Sequence, residues 1–201
     1  MFEDEMLDFE RILHKIIDIS LHDNKLEKTT IKETDENNIQ SLDSDWVPAF
    51  FNKLPVTNNW KEIERNTYYL LKLLGIPLTY NFLDERQAGK ADGFFKIGNL
   101  AVIYDCTLYK GDIERNKSEQ INNYYNCLKQ GRMEISQNTT EEFYSHHKPV
   151  WIITQNQTRQ IKVINSIEIK EIAIQDIMNL YQERLITTLS DQFLEIQLRN
   201  L

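Results

Sequence analysis

Residues 89–110 read GKADGFFKIGNLAVIYDCTLYK. Two apolar runs flank Gly98-Asn99, a pair suited to a two-residue hairpin turn. The primed turns need positive φ, and glycine supplies it without a steric penalty. If Ile97 faces Leu100, paired positions sum to 197. Asp92 and Asp105 sum to the same number, so this register sets them opposite each other. Opposed residues of an antiparallel pair have Cβ atoms about 5 Å apart. The rest of the hairpin (Phe94, Phe95, Ile97, Leu100, Val102, Ile103, Tyr104) is apolar enough to be buried. Two carboxylates that close and that dry repel, so either one takes up a proton or a metal ion holds both. The alternative is a pairing shifted by one residue, which leaves one acid in water at a strand end.

Moving outward, residues 57–75 (TNNWKEIERNTYYLLKLLG) predict a helix capped by Asn58 or Asn59 and ended by Gly75. Trp60, Glu64, Thr67, Tyr68, Leu71 and Leu74 share its predicted buried stripe, which places a glutamate among core positions. A strand is expected over 76–82 and a polar loop over 83–91. Beyond the hairpin, 92–107, a second helix is expected over 112–130. Ile113, Lys117, Gln120, Ile121, Tyr124 and Leu128 lie on one side of it. Residues 133–148 read as an irregular loop that carries His146-His147 as surface histidines. Residues 149–154 read as a central strand, apolar throughout. A short strand is expected at 170–174, then a helix from Gln175 to about Ile186 and an amphipathic stretch over 187–200. The fold class is therefore α/β, a mixed central sheet flanked by helices in the order αβββαβ.

Upstream, 1–22 predicts an additional amphipathic helix and 23–44 a polar linker or mobile loop, which leaves 45–201 as the main domain. No apolar run approaches the roughly 20 residues that span a bilayer. The start, MFEDEMLDFE, is acidic and lacks the basic and apolar regions of a signal peptide. The expectation is a cytoplasmic protein without a membrane partner. Cys106 and Cys127 are too few for a zinc site or a disulfide framework, and Cys106 reads as a small buried hydrophobe. The 201 residues carry a net charge of −8, which argues against a tight, non-specific, stand-alone nucleic-acid binder. No Gly-rich phosphate loop is present.

These pieces resemble a family. Ala91-Asp92 is followed thirteen positions later by Asp105-Cys106-Thr107, then by Tyr109-Lys110-Gly111. The helix with Gln120-Ile121-Asn122-Asn123-Tyr124 comes next, and then the strand Val150-Trp151-Ile152-Ile153. Together they resemble the PD-(D/E)xK nuclease superfamily, and within it the cleavage domains or small cleavage subunits of type IIS restriction endonucleases of the FokI, MlyI and AlwI groups. The similarity covers roughly Trp60 to Leu180. Two positions depart from the pattern. Ala91 stands where the motif has proline, and Thr107 stands where it has lysine. A small hydroxyl residue at the second position also occurs in related small cleavage subunits.

The resemblance implies a restriction-endonuclease-like core and Mg²⁺-dependent hydrolysis of DNA to a 5′-phosphate and a 3′-hydroxyl, with Mn²⁺ as a possible substitute. It implies Asp92, Asp105 and the backbone carbonyl of Cys106 as metal ligands, with Glu64 reaching the metal directly or through water. It also implies that Thr107, Lys117 and Gln120 position water or phosphate. Lys117 or Lys110 would replace the missing lysine, and Tyr124 would pack behind the site or touch the DNA backbone. A recognition subunit or a second copy would supply specificity. Two other readings stay open: a catalytically silent nuclease-fold assembly module, and a ligand-activated RNA or single-strand nuclease of a defence system.

Overall fold

The computed structural model describes residues 47–82, 91–136, 139–187 and 190–201. The expectations for 1–22 and 23–44, and nearly all of that for the loop at 83–91, lie outside these residues. Among the described residues no helix is long and apolar enough to cross a membrane.

A mixed six-stranded sheet flanked by helices forms the α/β core. A 3-10 turn (Ala49–Asn52) leads to α1 (Trp60–Leu73). Three antiparallel strands follow: β1 (Leu78–Asn81), β2 (Gly93–Ile97) and β3 (Leu100–Cys106). The chain then forms α2 (Ile113–Asn116) and α3 (Ser118–Gln130). A separate hairpin comes next, β4 (Arg132–Ser136) with β5 (Thr139–Glu142). β6 (Val150–Thr154) returns parallel to β3. β7 (Arg159–Ile164) and β8 (Ile167–Ala173) form a last hairpin, with β8 parallel to β6. Helices α4 (Ile174–Ile186) and α5 (Asp191–Asn200) end the chain. The sheet order is β1-β2-β3-β6-β8-β7.

The hairpin register is the one read from the turn. Ile97 pairs with Leu100 and Gly93 with Tyr104. Gly98 adopts φ +52°, and an added Cβ there would sit 1.8 Å from Glu195 Oε2. Gly93 is required for a different reason: a Cβ would meet the Tyr104 hydroxyl at 2.3 Å and the Tyr80 carbonyl at 2.4 Å.

All seven residues of β3 are buried, because helices cover both faces of the sheet. Leu100, Val102, Tyr104 and Cys106 face α1, α4 and α5, where Ile63, Leu71, Ile177 and Leu194 complete one core. Ala101 and Ile103 face α2, α3 and the β4–β5 hairpin, where Ile113, Ile121, Tyr124 and Phe143 complete the other. Alternation along the strand therefore turns Asp105 toward α3. Cys106 is buried, as its apolar setting predicts.

Several expectations are corrected. Trp60 is 58 % exposed, because the buried stripe of α1 runs through Ile63, Asn66, Thr67, Leu70 and Leu71. Glu64 lies on the flank of that stripe and is only partly buried. The helix expected over 112–130 is interrupted at Lys117, whose φ of −106° and ψ of 18° leave the helical region. The loop expected over 133–148 contains the β4–β5 hairpin, tied to the sheet by Lys96 and Tyr80 on Glu141. The strand expected at 170–174 is the end of the longer β8, paired with β7 across a turn in which Asn165 and Ser166 take φ of 46° and 69°. His146 and His147 are half-buried, and His147 Nε2 lies 3.4 Å from Glu168 Oε2.

Candidate active site

Asp105 is the penultimate residue of β3 and is 4 % exposed. Both of its oxygens are occupied. The Lys117 ammonium donates to Oδ2 and the Tyr124 hydroxyl donates to Oδ1 at 2.8 Å. Lys117 and Tyr124 are seven residues apart, close to two helical turns, so both reach the same carboxylate from one side. The local irregularity at Lys117 does not spoil this. Its N–H still donates to Ile113 and its carbonyl still accepts from Ile121.

Asp92 immediately precedes β2, so it closes the ladder rather than pairing in it. Its N–H donates to the Tyr104 carbonyl at 3.1 Å and its carbonyl accepts from the Phe82 N–H at 2.9 Å. Its side-chain Oδ2 accepts from the Cys106 N–H at 2.6 Å, where a neighbouring strand would otherwise offer a carbonyl. The strand pairing stops at Gly93 and Tyr104, so Asp92 lies one step outside it, near enough for the Asp105 charge to act on it.

The acids outnumber the cations here. Burial, with the charges of Asp105 and then Glu64, pushes the Asp92 carboxyl up to about 8 against the pull of the Cys106 N–H and Lys117. Burial, together with the Asp105 charge, also raises Glu64 above the usual carboxylate range, opposed by Lys117 and Lys61. Burial raises the Tyr124 hydroxyl well above its ordinary value, and the neighbouring Asp105 adds to this, so it stays a donor. Burial does the same to the Cys106 thiol, which leaves it an unreactive packing group.

The predicted residues divide into three groups. Asp92, Asp105, Lys117 and Tyr124 come together, with Glu64 near enough for its charge to act on Asp92 and for that of Asp105 to act on it. Thr107 lies just past β3, and its Oγ1 accepts from the Tyr109 N–H at 3.2 Å. Gln120 is half-buried in the first turn of α3. Lys110 is exposed on the loop after β3. Among the described residues no three His, Cys, Asp or Glu side chains converge as a metal-ligand set. The donors at Asp92 and Asp105 are hard oxygens of the type Mg²⁺ prefers, and their repulsion is what a divalent cation relieves.

No family model, curated protein or solved structure matches this chain.

One functional candidate was not read from the sequence. Glu171 in β8 is 1 % exposed. It accepts from Thr154 Oγ1 at 3.0 Å, Asn156 Nδ2 at 2.9 Å and Arg159 Nε at 2.7 Å. Burial alone would raise its carboxyl, but the bonds from Asn156, Arg159 and Thr154 hold it below the usual range. A signal was available: Ile167, Ile169 and Glu171 alternate, so the glutamate occupies an inward position of the strand.

Two surface hollows flank these groups. One of about 440 Å³, lined by Tyr109, Asp112, Arg115 and Asn116, opens beside the loop that follows Asp105. The other, about 360 Å³, lies at the opposite ends of β6 and β8 and contains none of the acids discussed.

Proposed function

We propose that this chain is a metal-dependent DNA endonuclease of the PD-(D/E)xK type, the cleavage subunit of a type IIS restriction system that takes its sequence specificity from a partner or a second copy. The reading rests on one observation above all. Two adjacent carboxylates, Asp92 and Asp105, sit at the end of a buried hairpin with the ammonium of Lys117 on Asp105. The order of one helix, three antiparallel strands, helix and parallel strand supports it.

In this reading Asp92, Asp105 and the Cys106 carbonyl would hold Mg²⁺, with Glu64 alongside. The bound cation would neutralise charge on the scissile phosphate and make a coordinated water acidic. The remaining steps belong to the chain itself. Lys117 replaces the motif lysine absent at Thr107, and its ammonium donates to the attacking oxygen or to a phosphate oxygen. Tyr124 fixes the Asp105 carboxylate through Oδ1, and Lys117 holds Oδ2, the oxygen that would serve a cation. Asp92 would have to be ionised to serve as a ligand. Gln120, one turn before Tyr124 on the same helix side, is placed to orient water or phosphate, and Thr107 lines the strand end. The net charge of −8 fits a subunit whose own grip on DNA is weak, so that binding and nicking are read at high protein concentration and low salt.

The test is nicking of supercoiled plasmid at high protein concentration with Mg²⁺, Mn²⁺ or EDTA, with wild type beside Asp105→Ala. Metal-dependent nicking that disappears in the variant supports the reading. A single-stranded RNA included as a second substrate would reassign the substrate class if it alone is cut. A second reading, a silent assembly module, draws on the engagement of Lys117 with Asp105. It predicts neither cleavage nor Mg²⁺ binding.

A further inference from the structure

The strand register places a row of residues across the sheet. Asp105 pairs with Ile152, Ile152 with Glu171, and Glu171 with Arg159. Adjacent paired residues share a face, and Ile152 belongs to the core on the α3 side, so Asp105 and Glu171 point to the same side. Strands lie about 4.8 Å apart, so Arg159 stands roughly 14 Å from Asp105 along the row. One strand of a nucleic acid advances about 3.4 Å per phosphate along its axis, so that gap is covered within about four nucleotides.

The group at the end of the row is built, not incidental. Glu171 is sealed from solvent, yet the side chain of its partner Arg159 is 48 % exposed. Only Nε of the guanidinium is committed to Glu171, which leaves the outer fork turned toward the surface. Arginine in that state suits bidentate recognition of phosphate. Burying a charged carboxylate is a poor source of stability compared with apolar packing, so stability alone does not account for a glutamate in this strand. Asn156 joins the group to the site. Its Nδ2 donates to Glu171 and reaches the Tyr109 carbonyl at 3.5 Å, linking the loop after β6 to the loop after β3.

We propose that Arg159, oriented by Glu171, is a phosphate-binding subsite for the DNA backbone a few nucleotides from the bond cut at Asp105. This rests on the nuclease reading above and adds to it a second contact at the β7 edge of the same sheet face. Arg159 touches substrate, while Glu171 is a positioning residue.

The experiment measures binding of a fluorescent 20-base-pair DNA duplex in Ca²⁺ across a salt series, and plasmid nicking in Mg²⁺. The proteins are wild type, Arg159→Ala, Arg159→Lys and Glu171→Gln. Arg159→Ala is expected to weaken binding about tenfold and to lower the salt slope by about 1. Arg159→Lys should restore the slope but not the full affinity. Glu171→Gln should shift both in the same direction by less. Nicking should show the change in KM with kcat retained. If Arg159→Ala fails to fold with Glu171 unpaired, the double variant Arg159→Ala/Glu171→Gln replaces it. Unchanged affinity and slope in a folded Arg159 variant, beside a wild type that binds and cuts, overturns this inference alone. A wild type that neither binds nor cuts overturns the nuclease reading and the subsite with it.

Discussion

Two carboxylates lie buried on the same face of one sheet with a single strand between them, and their surroundings are opposite. Glu171 accepts from three donors, and its charge is held below the usual carboxylate range. Asp105 also has donors, Lys117 and Tyr124, but Asp92 and Glu64 crowd it and one of the acids is driven to keep a proton. Glu171 is fully satisfied by the fold. The Asp92–Asp105 pair is left with an imbalance that the fold does not resolve and that a cation from outside would. Groups perturbed by burial and a like charge together mark functional sites more often than groups paired to completion.

The sharpest way to separate the two regions is catalytic. Asp105→Ala should reduce metal-dependent nicking at least a thousandfold, about 4 kcal/mol of transition-state stabilisation, while circular dichroism shows a folded chain. Glu171→Gln should leave kcat near the wild-type value. If both variants lose kcat equally, the contrast between the two acids fails.

The next difference is pH dependence without metal. Because the Asp92 carboxyl is raised in the folded state, the native protein holds a proton that the unfolded chain has released between pH 4 and 8. Stability should therefore fall as pH rises through that window, by on the order of 6 kcal/mol, and level off above about 8. Asp92→Asn keeps an acceptor for the Cys106 N–H and should remove the slope. Urea titrations from pH 4 to 9 read it directly.

Glu171 should behave in the opposite sense. Its lowered carboxyl contributes stability that is present above the unfolded value near 4.5 and is lost as pH falls through the folded value. Glu171→Ala leaves Thr154 and Arg159 without their acceptor and should cost about 3 kcal/mol at pH 7, less than a fully sealed pair because Arg159 reaches water. The loss should be visible as a lower urea midpoint at unchanged m-value. The smallest effect belongs to Tyr124→Phe. Removing one hydroxyl from Asp105 should cost about 1 kcal/mol of stability, read as a lower urea midpoint.

The same comparison shows what could be read from the chain. The Asp105 side was legible because local chemistry announced it. Gly98-Asn99 set the register that brings Asp92 to Asp105, and seven-residue spacing aligned Lys117 with Tyr124. The break at Lys117 was not legible, since neither glycine nor proline marks it. The Glu171 side was not legible because its hairpin turn is Asn165-Ser166. A serine at φ 69° gives no glycine signal, so β7 and β8 did not read as a pair. The β4–β5 hairpin escaped for another reason: strands such as Thr139–Glu142 are mostly exposed and have no apolar alternation to detect. Trp60 was misplaced by one helix face, because large aromatic residues bias a stripe that Ile63, Leu70 and Leu71 in fact define.

The central claim is that Asp92 and Asp105 together form a divalent-cation site. Calorimetric titration of Mg²⁺ at pH 7, in two buffers of different ionisation enthalpy, tests it without any partner subunit or substrate. The account predicts saturable binding to wild type with release of close to one proton, and no binding to Asp92→Asn or Asp105→Asn. Absence of binding to wild type at millimolar Mg²⁺, or binding that persists in both variants, would contradict it.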